Sequence, residues 1–169
     1  MPTSLSARVT LGVVADLIDL IDVGEVKYPI SYGANYVFTD GVGADQAKQV
    51  FTDTRTLTAS AAENLDLAGV LLNAFGTALT FTKIKAIIVK ADAANVNDVV
   101  LGNHATAAFF PMFGAATHTV KVKPGGMVAF VAPDLAGLAV TATTADMLTV
   151  TNSAGGTSVT YTIIIIGTV

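Results

Sequence analysis

Cysteine and tryptophan are absent from the 169 residues, and only 13% of them are charged. With no thiol in the chain, disulfides, thiolate nucleophiles and Cys-zinc sites are all excluded. Ordinary soluble domains carry about 25% charged residues. Here 52% are hydrophobic, so polar surface is scarce and part of the exterior should be covered by other subunits. No apolar stretch approaches the roughly 20 residues of a membrane-spanning helix; the longest runs, such as Ile163 to Ile166, are only a few residues long. MPTSLSARVT has neither a basic nor an apolar leader segment, which sets the expectation of synthesis in the cytoplasm without a signal peptide. Nine basic residues against thirteen acidic ones give a net charge of −4, with the lysines spread singly. No face for direct nucleic-acid contact is expected, and no membrane contact.

What the chain does have is Thr, Val, Ile and Phe, punctuated by Gly, Asn, Asp and Pro clusters, the pattern of half-buried strands and their turns. At this length one domain hides roughly 70% of its unfolded surface. In HTVKVKPGGMVAFVAP, Val120 and Val122 alternate with Lys121 and Lys123, Pro124 to Gly126 turns, and Met127 to Val131 runs back. This predicts a hairpin with its lysines in water. FTKIKAIIVKAD predicts a strand with Thr82, Ile84, Ala86 and Ile88 on the core face and Lys83 and Lys85 on the other. VFTDTRTLT, AENLDLAG and NDVVLGN read as further short strands, and GLAVTATTADMLTVTNSAGGTSVTYTIIIIGTV as two or three more, with a glycine-rich loop from Asn152 to Thr157. In ADLIDLIDVG the pairs Leu17-Ile18 and Leu20-Ile21 are spaced near three, which suits a short helix over Asp16 to Asp22, and GADQAKQVF could make one helical turn. Eight or so strands with turns every 8 to 12 residues point to an all-β fold, an antiparallel β-sandwich of jelly-roll type. The expected organisation is an N-terminal arm or outer hairpin over 1–37 and a β-sandwich domain over 38–169.

No set of residues carries a catalytic signature. His104 and His118 have no further ligand at a recognisable spacing, so they read as surface or interface histidines. Asp16, Asp19 and Asp22 have leucine and isoleucine in the gaps where a calcium loop needs oxygen ligands, and read as a solvated polar face. GVGADQ has Gln46 where a dinucleotide fingerprint needs its third glycine, and NSAGGTS places Ser153 and Ser158 in a loop without a nucleophile elbow. Asp53, Glu63, Asp66 and Asp146 are candidates for a carboxylate pair, each with an equal reading as a turn or strand-edge residue. The expectation is therefore no enzyme, no metal and no cofactor.

The terminal SVTYTIIIIGTV poses a different question. Val159, Tyr161, Ile163 and Ile165 form an inner apolar series, whereas the alternate series, Thr160, Thr162, Ile164 and Ile166, starts polar and ends apolar. Left bare, such a face would aggregate. Ile164 and Ile166 are therefore candidate interface residues, covered either by the chain's own N-terminal segment or by a neighbouring subunit.

The succession FTDGVGADQAKQVFTDTRTL, ENLDLAG, TFTKIKAIIVKADAANVNDVVLG and VKPGGMVAFVAPDLAGLAVTATTADMLTVTNSAGGTSVTYTIIIIG, from about Phe38 to Gly167, resembles small structural proteins of tailed bacteriophages and prophages of the capsid decoration, or cement, type. DLIDLIDVGEVKYPISYG matches that pattern least. The resemblance implies a jelly-roll-like sandwich, with PGG and TNSAGGTS as sharp hairpin ends and no active site. It also implies a virion protein at the capsid surface that binds across subunits of the major capsid protein, as a homo-oligomer, trimer or dimer. A tail or fibre module binding host carbohydrate is the alternative, weakened by the absence of tryptophan and an aromatic content of 7%.

Overall fold

A computed structural model describes residues 4–169 of the chain, and among these there is no helix. The fold is all-β. Two long strands open it, β1 (Ala7–Ile21) and β2 (Gly24–Asp40), followed by β3 (Gln46–Ala47) and β4 (Gln49–Leu57). Then come β5 (Ala62–Asp66), β6 (Lys83–Ala91), β7 (Val99–Gly102) and β8 (Thr119–Val122). The chain closes with β9 (Met127–Val131), β10 (Leu138–Ala139), β11 (Met147–Asn152) and β12 (Val159–Thr168).

Three sheets result. β4, β12 and β6 lie side by side, and the far edge of β6 carries both β9 and β10; β5, β11, β7 and β8 make a second sheet in that order. β1 and β2 form a third with β3; the short β2–β3 pairing is parallel, while the other pairings between the described strands are antiparallel. Side chains from the first two sheets meet in one apolar cluster. Phe51, Ile87, Val89, Ile163 and Ile165 come from one side, and Leu65, Val99, Leu101, Val122, Leu148 and Val150 from the other.

Several sequence expectations are corrected by this pairing. β8 and β9 do not form a hairpin, because β8 pairs with β7 and β9 with β6. The Pro124-Gly125-Gly126 segment still turns, with the Gly126 amide donating to the Lys123 carbonyl and Gly125 at φ 73, but it carries the chain between sheets. The Asn152 to Thr157 loop is likewise a crossover, since β11 and β12 belong to different sheets. Lys121 and Lys123 are exposed, as the alternation requires.

The helical readings give way to strand and turn. Asp16 to Ile21 completes β1, with Asp22 and Val23 as the two-residue turn, and Gln46–Ala47 is the short strand β3. The strand over Lys83–Ala91 is present with a shifted alternation. Ile166 pairs with Ala86 while Gly167 pairs with Ile84, so Lys85 is an extra residue in a β-bulge. The bulge sends Ile84, Ile87 and Val89 into the main core and leaves Ala86 and Ile88 on the opposite face. Lys85 is consequently buried rather than solvated, and its ammonium donates to the Asp134 carbonyl. Burial pushes its pKa below the usual lysine range, against the opposing pull of Asp134.

Candidate functional site

The last strand divides its isoleucines between two environments. Ile163 and Ile165 are fully buried in the main core. Ile164 and Ile166 lie on the reverse face, where Val9, Phe38 and Ala47 join Ala86 and Ile166 in a second cluster, with Leu5, Ala7, Tyr36, Val50, Ile88, Val131 and Ile164 around it. The cover for Ile164 and Ile166 is thus the base of the β1–β2 hairpin of the same chain. Farther along the same face, outside that cluster, threonines replace isoleucines. Thr162 and Thr160 pair hydroxyl to hydroxyl with Thr54 and Thr56, each at 2.9 Å.

Asp40 anchors that base. Its Oδ1 accepts the Leu5 amide at 3.1 Å and its Oδ2 accepts the Lys48 ammonium at 2.8 Å. The Lys48 hydrogen bond holds the Asp40 carboxyl below the usual carboxylate range.

Beyond the base the hairpin leaves the body, and every residue from Gly12 to Gly33 is exposed. Fifteen residues in β1 correspond to a ribbon about 50 Å long. Its register pairs Val9 with Tyr36, Leu11 with Ala34, Val13 with Tyr32, Ala15 with Ile30, Leu17 with Tyr28 and Asp19 with Val26. Directly opposed residues share a face. One face therefore presents Leu11, Val13, Ala15, Leu17 and Ile21 beside Val26, Tyr28, Ile30, Tyr32 and Ala34, with Asp19 as its single charge. The other face mixes Arg8, Thr10, Asp16, Glu25, Lys27 and Asn35 with Val14, Ile18 and Leu20. At its root the apolar face is the one that packs over Ile164 and Ile166, through Val9, Tyr36 and Phe38. The apolar face of this hairpin is the feature that residue-by-residue reading misses. Reflecting the sequence about Asp22-Val23 aligns the two strands and would have disclosed it.

The candidate polar residues fall in scattered places. Asp16 and Asp19 stand on opposite faces of β1, and Asp22 lies in the turn, so the three do not converge. His104 Nδ1 accepts the Ala107 amide at 3.0 Å, a turn contact, and His118 is exposed with its amide bonded to the Ala115 carbonyl. Ser153 Oγ accepts the Asp98 amide at 2.9 Å, and Gln46 Oε1 accepts the Gly43 amide at 2.8 Å. Among the described residues no three His, Asp or Glu side chains form a metal-sized group.

Of the four candidate carboxylates, Asp53 and Glu63 share one partner, Arg55, which lies between them. Arg55 Nη1 donates to Glu63 Oε2 at 2.6 Å and Nε to Asp53 Oδ2 at 3.0 Å, while Tyr161 donates its hydroxyl to Glu63 Oε1 at 2.7 Å. The group ties β5 of one sheet to β4 and β12 of the other. Burial first, and then the Glu63 hydrogen bond, push the Tyr161 phenol far above its ordinary range. Asp66 Oδ1 accepts the Ala68 amide, and Asp146 Oδ2 the Thr143 amide. These are turn contacts.

Two clefts of about 170 and 140 Å³ flank Gln49, whose buried Oε1 has no hydrogen-bond partner among the described residues. Both are smaller than the roughly 300 Å³ at which small-molecule sites begin. The chain matches no protein-family profile, no curated protein and no solved structure.

Proposed function

We propose that this protein is a virion structural protein of a tailed phage or prophage, a capsid decoration protein built on a jelly-roll sandwich. The observation that carries the reading is an apolar arm projecting from an all-β body. Strand order supports the fold assignment. Counting β4, β5, β6, β7, β8, β9, β11 and β12 as one to eight, one sheet runs 1-8-3-6 and the other 2-7-4-5. That is the succession produced when a long antiparallel ribbon rolls up into two sheets. The fold serves capsids and lectins alike, so it does not select a role by itself. The arm favours assembly, since a two-stranded ribbon with both faces in water is marginal alone and gains its stability from what it packs against.

In this reading the body sits on the shell and bridges neighbouring subunits of the major capsid protein. Binding only the assembled lattice adds stability to the shell by mass action, without any chemical step. The low charge content suits permanent, largely apolar contacts. Purified chain should co-sediment with shells of the cognate major capsid protein, and antibody labelling of virions should decorate heads. Labelling confined to tails, or shells that bind none of the chain, would refute the assignment.

A further inference from the structure

The apolar face of the arm has a self-complementary character that does not depend on the virion reading. Leu17, Tyr28 and Tyr32 are each 67% exposed and Val13 56%, and Ile21, Val26 and Ile30 lie on the same face. Aromatic side chains bury 150 to 250 Å² each, so this face offers on the order of several hundred Å², above the usual size of an incidental patch. It approaches the roughly 800 Å² per partner of a stable interface.

We propose that this face is a homotypic docking surface, buried in solution against the same face of a second copy of the chain. Three observations select that occupant. The face carries one carboxylate, Asp19, and no cation, so it has nothing with which to read a charged partner; an equally apolar, nearly uncharged surface matches it. The chain displays such a surface on the arm itself. The same face is also continuous with an apolar contact already made within the protein, where Val9 and Phe38 pack over the isoleucines and alanine of another sheet. Two arms stacked face to face, about 10 Å apart, would extend that sheet-on-sheet packing along the ribbon.

Symmetry supplies the geometry. In a two-fold antiparallel overlay centred between Ala15 and Leu17, the two Asp19 carboxylates fall roughly 20 Å apart, beyond the screening length at physiological salt. Leu17 and Tyr28 then lie near the axis, where interface energy concentrates. A lipid surface fits less well, because Asp19 would enter the hydrocarbon together with the apolar residues around it.

The test is sedimentation of the full-length protein across a concentration series. The unaltered chain should run as a dimer or higher oligomer at about 50 µM, and Leu17→Asp with Tyr28→Asp should weaken association by about 100-fold or more. Ile18→Asp with Leu20→Asp, equally near the tip but on the other face, should leave association unchanged. Because the protein has no cysteine, Leu17→Cys supplies a single thiol that a bismaleimide spanning roughly 12 Å should join to its copy, stacked sheets holding the two thiols too far apart for a disulfide, whereas Ile18→Cys should not be joined. A monomer at 50 µM overturns the proposal. So does equal disruption by the two double variants, a Leu17→Cys chain that does not cross-link, or a monomer that instead partitions onto phosphatidylcholine–phosphatidylglycerol vesicles.

Discussion

Leu17 and Tyr28 stand directly opposite each other across β1 and β2, each two-thirds exposed, on the face whose root is formed by Val9 and Tyr36. The pair lies about eight residues along β1 from the buried Val9, so one continuous face passes from interior to solvent along the same ribbon. From Val9 to Leu17 its β1 residues are apolar throughout, and only the cover changes.

The four isoleucines should separate by face in a stability experiment. Ile163→Ala with Ile165→Ala removes two fully buried side chains from the main core and should cost roughly 4 to 10 kcal/mol, comparable to a domain's whole stability. Little soluble protein is expected. Ile166→Thr, beneath the hairpin base, should cost about 1.5 to 3 kcal/mol and lower the melting temperature of the dilute chain. Unchanged melting for Ile166→Thr would show that the base of the arm does not seat there.

Gly167 is predicted to resist substitution. A Cβ added there would lie 2.4 Å from the Lys83 carbonyl oxygen and 2.7 Å from the Phe81 ring, at the bulge where β12 passes β6. Gly167→Ala should therefore destabilise by about 1 to 3 kcal/mol, read from urea denaturation, whereas Gly156→Asn in the open crossover loop, at φ 92, should cost less. Equal costs at the two positions would contradict the close approach.

Tyr161 should resist ionisation under base. Its pKa is raised in the folded state, so the stability tied to its protonated form is complete below the unfolded value of about 10 and is lost as pH rises beyond it. Ultraviolet titration should show a late phase, belonging to Tyr161, that appears only as the body unfolds. Tyr161→Phe should abolish that late phase and cost about 1 to 3 kcal/mol, because Glu63 loses a donor to its carboxylate.

At the acid end, Asp40 is the group to watch. Its pKa is lowered in the folded state, so the stability it confers is present above the unfolded value of about 3.9 and disappears as pH falls through the lower folded one. Asp40→Asn should speed hydrogen exchange at the Leu5 amide and at the hairpin base at neutral pH, with the core strands unaffected. Exchange at Leu5 that does not respond would show that the carboxylate is not its anchor.

The sequence alone determined the all-β class, the inward series Tyr161, Ile163 and Ile165, and the solvent-facing Lys121 and Lys123, because a strand half in water must alternate and alternation is a local property. Tertiary structure decided which strands pair. PGG and TNSAGGTS turn the chain as their glycines require, yet a turn does not say whether the next strand stays in the same sheet, and here both cross to the other. Lys85 reads as solvated until the bulge opposite Ile166 and Gly167 moves it inside, a shift set by the partner strand. Asp16 to Asp22 reads as helical because Ile18 and Leu20 interrupt the alternation, and an arm with both faces in water imposes no burial to restore it. Only when β1 is set against β2 do Leu17 and Tyr28 become neighbours and the apolar face come into being, since it is a property of the pairing rather than of either strand.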